Sequence, residues 1–156
     1  MFIDEVKTYL ESVCNSHIDI ASVHFGNDRE ITGAQLNNMV YPAAWIETPV
    51  IRPRGDEDRF GFRYEIGIAV INQNIDDTVE SALSNQGLAQ RIINQICFKI
   101  AQDIEYGILK ADMDFNRINM ELIFYATADN VDGIRCSFDL TVFNPEFCFD
   151  ESKFEE

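Results

Sequence analysis

The chain has 156 residues, a length that fits one domain able to bury roughly 70% of its unfolded surface without disulfides or a metal. Its formal net charge of −15 argues against general binding to DNA or to an anionic membrane, because the long-range field repels phosphates. A hydrophobic content of 46% argues against disorder over most of the chain.

The chain shows no targeting or membrane signal. Its N-terminal residues have neither a basic nor an apolar signal-peptide region. No apolar run approaches the roughly 18 residues of a membrane span. The four cysteines, at positions 14, 97, 136 and 148, have no CxxC spacing. We therefore expect reduced thiols, packed in the core where they lie on apolar faces, and synthesis in a reducing, intracellular setting.

The first third of the chain predicts one helix, a loop and two strands. These are an amphipathic helix over residues 2–13, a bulged strand over 18–25, a loop over 26–38 and a strand over 40–51. Pro42 interrupts the last strand and Pro49 ends it. Because proline cannot donate to a sheet ladder, this strand is expected to be bent or at an edge.

The rest of the chain predicts a long hairpin, a long helix and two closing strands. The segment 52–59 is expected to be a charged loop before the alternating strand 60–72, and strands follow at 118–126 and 134–142. Apolar residues recur every four positions over 88–104, which predicts a helical rod. Asp77 or Thr78 is expected to cap this helix, Gly87 to break it into a short lead and a rod, and Gly107 to end it.

These elements predict an α+β fold in one domain, residues 1–145, followed by an acidic tail, residues 146–156. An antiparallel-rich sheet of about four to five strands carries the N-terminal helix and the long helix on one face. The opposite face is polar but also carries Ile71, Ile123, Tyr125 and Phe143. Such a half-apolar face indicates either a contact with a neighbouring subunit or ordinary surface apolarity.

No residue pattern predicts a catalytic site, a cofactor or a metal. The run Asp112-x-Asp114-x-Asn116 is similar to the start of an EF-hand loop, but Arg117 replaces the required glycine and Ile123 the bidentate glutamate. The histidines, His17 and His24, are seven residues apart on or beside one strand, so they are expected on opposite faces. No cysteine has the basic, electropositive setting that a nucleophile needs.

One charged cluster stands out as a candidate subunit interface. Four of the twelve basic residues fall within twelve positions, interspersed with carboxylates. The candidate residues are Arg52, Arg54, Asp56, Glu57, Asp58, Arg59 and Arg63. Arginine pairs readily with carboxylates across interfaces, so this tip could attract an acidic copy of the same chain. Neutralisation inside the hairpin by Asp56, Glu57, Asp58 and Glu65 is the alternative, and it uses the same charge pattern.

The order of elements resembles the tail-terminator, tail-completion and neck proteins of tailed bacteriophages. The run Asp129-Asn130-Val131-Asp132-Gly133-Ile134, continuing through residues 138–142 to Asn144-Pro145, resembles the closing strand of such proteins. The strand over 64–70, running into a helix rich in Gln and Ile, is a second point of similarity. The likeness covers almost the whole chain as a pattern rather than as signature residues.

The resemblance implies a non-enzymatic virion protein, made in the host cytoplasm, that forms a homo-oligomeric ring, commonly of six. Such a ring caps the tail tube or joins it to the head, contacts other tail or neck proteins, and needs no cofactor, membrane or sequence-specific nucleic acid. Residues 52–63 would then lie at the interface or in the lumen. The acidic tail would reach an adjoining protein.

Two other functions remain open. The first is a small α+β enzyme or ligand-binding domain with a pocket between sheet and helix, which requires a polar group among the inward-facing residues. The even positions 60–70, 118–126 and 134–142 offer only Tyr64 and Cys136. The second is a monomeric adaptor within a larger assembly.

Overall fold

The computed structural model describes residues 1–27, 39–56, 59–124 and 130–143, without the side chains of residues 55, 56, 59 and 60. Within these residues, two α-helices and seven strands follow in this order: α1 (Ile3–Asn15), β1 (Ser22–Gly26), β2 (Ala43–Glu47), β3 (Val50–Asp56), β4 (Arg59–Gln73), α2 (Val79–Glu105), β5 (Asp112–Met113), β6 (Asn119–Ile123) and β7 (Val131–Phe143). A short 3-10 helix, Phe115–Arg117, lies between β5 and β6.

The two longest strands, β4 and β7, form the centre of one mixed sheet. They pair antiparallel over thirteen residues, from Gly61 opposite Phe143 to Gln73 opposite Val131. The other edge of β4 is shared by β3 and β2, and β1 extends the sheet by pairing in parallel with β2. The other edge of β7 is shared by β5 and β6.

Both helices pack on one face of this sheet, as the apolar pattern predicts. The inward side chains of β4 are those at even positions, and four of them, Tyr64, Ile66, Ile68 and Val70, are almost fully buried. They join the buried stripes of α1 and α2 in one core. The α+β class, the two helices on one face and the long hairpin are therefore confirmed.

The sheet is larger than predicted, with seven strands rather than four or five. The strand expected over 40–51 is two strands that follow one another along the same edge of β4, separated at Thr48 and Pro49. Proline has no N–H for the ladder, which explains the break. The short strands β5 and β6 divide the edge of β7 in the same way.

The prediction of a charged loop over 52–59 is wrong, because most of this segment is paired strand. The register of β3 and β4 runs from Val50 opposite Glu65 to Asp56 opposite Arg59, so only two residues connect the strands. Two-residue connections are the commonest in hairpins. The arginines at 52, 54 and 63 therefore stand on strands, where their directions are fixed.

The helix α2 is continuous through Gly87, so the predicted break there is wrong. A glycine inside a helix costs only about 1 kcal/mol, and Ala82, Ala89 and Ile92 bury the helix on both sides of it. The two ends are as predicted. The Thr78 side chain accepts a hydrogen bond from the Ser81 N–H, and Gly107 follows the helix with φ of +70°.

The outer face of the sheet, away from the helices, is divided into an apolar and a charged half. At the apolar half, the buried side chains of Ala43, Trp45, Ala69, Ile71 and Val131 pack with Met39, Tyr41 and Ile123. Ile71 is fully buried within the chain, so it cannot meet a neighbouring subunit. The expectation of an exposed apolar contact at Ile71 is wrong, whereas Phe143 is exposed and Tyr125 lies outside the described residues.

Candidate interaction surface

The other half of the outer face is an open array of arginines and carboxylates, which we call the charged face. It is formed where β2, β3, β4, β7, β6 and the 3-10 helix present their outward residues. Its members are Glu47, Arg52, Arg54, Arg63, Glu65, Asp114, Arg117, Glu121, Arg135 and Asp139.

A chain of ion pairs crosses this face from β3 to the 3-10 helix. Arg52 Nε lies 2.5 Å from Glu65 Oε1, and Arg63 Nη2 lies 3.4 Å from the same oxygen. Asp139 then links two arginines, with its Oδ2 3.8 Å from Arg63 Nε and 3.9 Å from Arg117 Nη1. Since these groups are half-buried or exposed, each pair adds little to stability, and the main effect is to hold the side chains in an ordered row.

A second ion pair holds the centre of the charged face. Arg135 donates to both carboxylate oxygens of Glu47, at 2.5 and 2.7 Å, and its Nη1 lies 3.8 Å from Glu121. The Glu47 side chain lies directly over Gly67, where a Cβ would come 2.1 Å from Oε2. The missing side chain at Gly67 thus creates the space in which this bidentate pair forms.

The ionisation of Glu65 fits its position. The hydrogen bond from Arg52 is the main cause that holds the pKa of this carboxyl below its ordinary value, and Arg63 contributes in the same direction. Because the folded-state pKa is lowered, the contribution of this carboxylate to stability is present above the ordinary pKa and is lost as the pH falls through the lowered one.

Two shallow clefts open on the charged face and share Arg117 and Asp139. The larger, of about 320 Å³, lies over Gly67 and Ser137. The smaller, of about 220 Å³, is lined by Arg54, Asp112, Thr141 and their neighbours. Both are open and lined by mixed charge, which is a geometry that suits contact with another polar surface.

The predicted interface residues fall into three groups according to their ion pairs. Arg52 and Arg63 both pair with Glu65, as the internal-neutralisation alternative expects. Arg54 is exposed beside the smaller cleft and makes no ion pair with any residue in the described part of the chain. The side chains of Asp56, Glu57, Asp58 and Arg59 lie outside the described residues.

Strand alternation predicts Arg135 on the outer face, whereas no local pattern singles out Glu47 or Arg117 as members of the charged face. Arg135 and Glu47 are 88 residues apart and meet only because β2 and β7 both flank β4. The outward, odd-numbered position of Arg135 on its strand was the available signal. Its partner could not be chosen from among 27 acidic residues without the strand order.

The motifs set aside during sequence analysis have local structural roles. Asp114 accepts a hydrogen bond from the Asn116 N–H and pairs with Arg117, as a polar turn does. His17 lies 2.6 Å from Gln95 Oε1, and His24 bonds Ser22 while burial lowers its pKa. Within the described ranges, no three His, Cys, Asp or Glu side chains are grouped to hold a metal ion.

The described cysteines are buried and reduced. Burial raises the pKa of Cys14 to about 12. The pKa of Cys136 is raised mainly because its thiol is hydrogen-bonded to Cys97, with burial acting in the same direction. A thiol is a nucleophile only as the thiolate, so Cys14 and Cys136 are held in their unreactive forms. Cys148 is outside the described residues.

One group of residues that sequence reasoning missed lies on the inner face. Polar side chains lie where β4 ends and β7 begins, near the start of α2. We call them the polar cluster, and its members are Asn72, Asn74, Asn85, Gln86, Asn130 and Asp132. Asn72 and Asp132 are direct partners in the strand register. Asn72 is the next even position after residue 70, and Asp132 is the even position before residue 134. Continuing the inward alternation of β4 and β7 by one further position would have predicted both residues.

Comparison with known proteins adds no relative: no protein-family model matches the chain, and a search of curated proteins finds no match. In the parts of the chain that the structure describes, neither helix combines the length and apolar character needed to cross a membrane.

Proposed function

We propose that this chain is a structural, non-enzymatic subunit that assembles with copies of itself into a ring, resembling the tail-terminator and neck proteins of tailed bacteriophages. In this proposal the ring contains about six copies and lies in the virion at the tail end or the head–tail junction. It contacts other tail or neck proteins there. The observation that carries the proposal is the charged face.

The charged face gathers most of the arginines of a strongly acidic protein and balances them with an equal number of carboxylates. Five of the eight arginines of the chain stand on it, although the whole chain has a formal charge of −15. Lysine and arginine are otherwise sparse, so this is the surface on which a second acidic copy meets the least repulsion.

The ion pairs of the individual arginines indicate which of them is available for a contact with another copy. Most of them already have a carboxylate partner within the chain, and such pairs contribute little new energy on association. Arg54 has no such partner among the described residues and stands at the rim of the smaller cleft. We infer that Arg54 pairs with a carboxylate of the adjacent copy, as guanidinium groups commonly do at interfaces.

The first experiment is to measure the mass of the purified protein across a concentration series by light scattering or native mass spectrometry. A closed oligomer near six copies supports the ring. A strict monomer at high concentration contradicts self-assembly by the free chain and favours a monomeric adaptor.

Matched charge reversals then locate the contact. Arg54→Glu is expected to weaken self-association at least tenfold while leaving the circular dichroism spectrum and the unfolding midpoint unchanged. Arg91→Glu is the control, because it makes the same charge change on an exposed position of α2, on the other face of the sheet. Equal weakening by the two variants would show a net-charge effect only and would remove Arg54 from the interface.

A ligand-binding domain is the second candidate, and the polar cluster favours it. Sequence reasoning made that function depend on a polar group among the inward residues, and the polar cluster supplies one. It lies between the sheet and a helix, where small-ligand sites commonly occur. The ring and the ligand site use opposite faces of the sheet, so one chain can have both.

A further inference from the structure

The polar cluster is deeply buried and carries a carboxylate. Asp132 is 0% exposed, Asn74 is 2% and Gln86 is 3%. Asn74 occupies the centre, because its Nδ2 donates both to Asp132 Oδ2, at 2.7 Å, and to the carbonyl of Thr78, at 3.3 Å. The cluster therefore joins the ends of β4 and β7 to the first turn of α2.

The orientations of its amides are fixed by their N–H groups. Asn130 Nδ2 donates to the Asn74 carbonyl and to Asp77 Oδ1, at 3.2 and 3.0 Å. Gln86 Nε2 donates to the Ile123 carbonyl at 3.3 Å. Reversing any of these amides, Asn74 included, would place its oxygen against another oxygen. The side-chain oxygens must therefore point the way they do.

This arrangement leaves a set of buried oxygens without donors. Each is shielded from solvent and has no hydrogen-bond partner among the described residues: Asn74 Oδ1, Gln86 Oε1, Asn130 Oδ1 and Asp132 Oδ1. A buried acceptor that nothing pairs costs about 1–3 kcal/mol, so we expect a donor or a cation from outside the protein to occupy the cluster. The common property of the four atoms is that they accept and cannot donate.

The charge of the cluster is also uncompensated. Asp132 forms no ion pair with a lysine or arginine in the described part of the chain, and the network extends to a second carboxylate at Asp77. The N-terminus of α2 carries roughly half a positive charge. Asp132 is linked to this end of the helix through Asn74, which bonds both the Asp132 carboxylate and the Thr78 carbonyl. Buried carboxylates are normally paired or bound to a metal.

We propose that the polar cluster binds one calcium ion, with Asp132 and Asn74 as its central ligands and Asn130 and Gln86 at its periphery. Carboxylate and amide carbonyl oxygens are the ligands that Ca²⁺ prefers, and its flexible coordination accepts ligands from separate loops and strands. Magnesium requires near-ideal octahedral geometry and keeps its waters, while zinc prefers nitrogen and sulfur. This inference is independent of the proposed ring.

The test is calcium binding by the full chain after removal of metals with a chelator. We expect isothermal titration with CaCl₂ to give one site per chain and thermal unfolding to shift upward by several degrees. We expect MgCl₂ at the same concentration to give a smaller shift. Failure of the wild-type chain to bind calcium at millimolar concentration, or an equal response to both ions, would overturn the proposal.

The variant Asp132→Asn gives a reversal that a structural role would not produce. Without calcium it should unfold at a higher temperature than the wild type, since the uncompensated buried charge is gone. With calcium it should bind at least tenfold more weakly and gain little stability. If calcium stabilises Asp132→Asn as much as the wild type, the proposal is wrong.

Two further variants separate the site from the general acidity of the chain. Asp112→Asn removes one charge from an exposed carboxylate of β5 and should bind calcium as the wild type does. Asn130→Gly removes a peripheral oxygen at a position where φ is 53°, which glycine adopts easily, and should weaken binding. Equal weakening by Asp112→Asn and Asp132→Asn would show only non-specific attraction of calcium.

Discussion

At Gly133 the two central strands approach so closely that any side chain would collide with backbone. A Cβ built there would lie 2.0 Å from the Val70 carbonyl oxygen. Gly67 has a similar distance, but to the end of the Glu47 side chain, which can move aside. The two glycines thus have different consequences: Gly133 sets the spacing of β4 and β7, whereas Gly67 makes room for an ion pair.

We predict that Gly133→Ala destabilises the protein by about 3 kcal/mol or more, because the sheet must separate or twist to accept the methyl group. The matched control is Gly87→Ala in α2, where the nearest atom is 3.8 Å away and belongs to the Arg91 side chain. That change should stabilise by about 0.5–1 kcal/mol. Urea unfolding of both variants measures the difference, and a Gly133→Ala variant as stable as the wild type would contradict the close approach.

Among the elements, α2 depends most on how it begins. Its first turn is capped by Thr78, and the same residue's carbonyl receives Asn74 of the polar cluster. The helix is about 40 Å long and spans most of the sheet. A shift at its start would therefore displace the buried side chains along its whole length. The cap and the polar cluster therefore fix the register of the longest helix on the sheet.

Thr78→Ala is expected to lower the free energy of unfolding by about 1 kcal/mol, because the Ser81 N–H loses its acceptor. Ser84→Ala, at an exposed position in the same helix, is the control and should be neutral or slightly stabilising. Chemical denaturation with one slope for all variants gives the values. Equal effects of the two changes would mean that the cap contributes nothing.

The elements were predictable to the extent that local pattern determines them. Alternation over β4 and β7 and the four-residue repeat of α2 predict the fold class and the inward face, and the polar residues before α2 leave Asp77 or Thr78 as its cap. The break at Gly87 was wrong because burial on both sides of a residue outweighs its helix propensity. The loop over 52–59 was wrong because charged side chains on an outer sheet face were read as a turn signal.

The candidate sites were less predictable than the fold because they depend on long-range partners. Arg52, Arg54 and Arg63 stood out through their local density. Glu47, Arg135 and the Asn74–Asp132 pair are joined across 88 and 58 residues, and only the strand order brings them together. A polar residue at the end of an inward face looks like ordinary surface until the helix above it is placed.

On the scale of the whole molecule, the dominant property is the excess of negative charge. A ring of six copies would carry 6 × −15 = −90 formal charges. The repulsion between copies is long-range, whereas a pairing of Arg54 with a neighbour acts over a few ångströms. Salt screens the first more strongly than the second, since the screening length is about 10 Å at 0.1 M and about 3 Å at 1 M.

Raising NaCl from about 0.05 to 0.3 M is therefore expected to strengthen self-association of the wild-type chain several-fold. Sedimentation velocity at fixed protein concentration measures the change. Potassium glutamate in place of NaCl controls for specific chloride binding. Dissociation on adding salt would instead mean that local ion pairs dominate the contact, and would contradict net repulsion as the limiting term.

The edge of β3 has a consequence for how the chain behaves when crowded. In the described residues β3 pairs only with β4, so its other edge presents open backbone groups. Such an edge is a template on which strands of other chains can add and grow into fibres. Pro53 removes one donor at the middle of this edge, and Arg52 and Arg54 place charge on both sides of it. We expect these three residues to hinder the addition of strands from other chains along this edge.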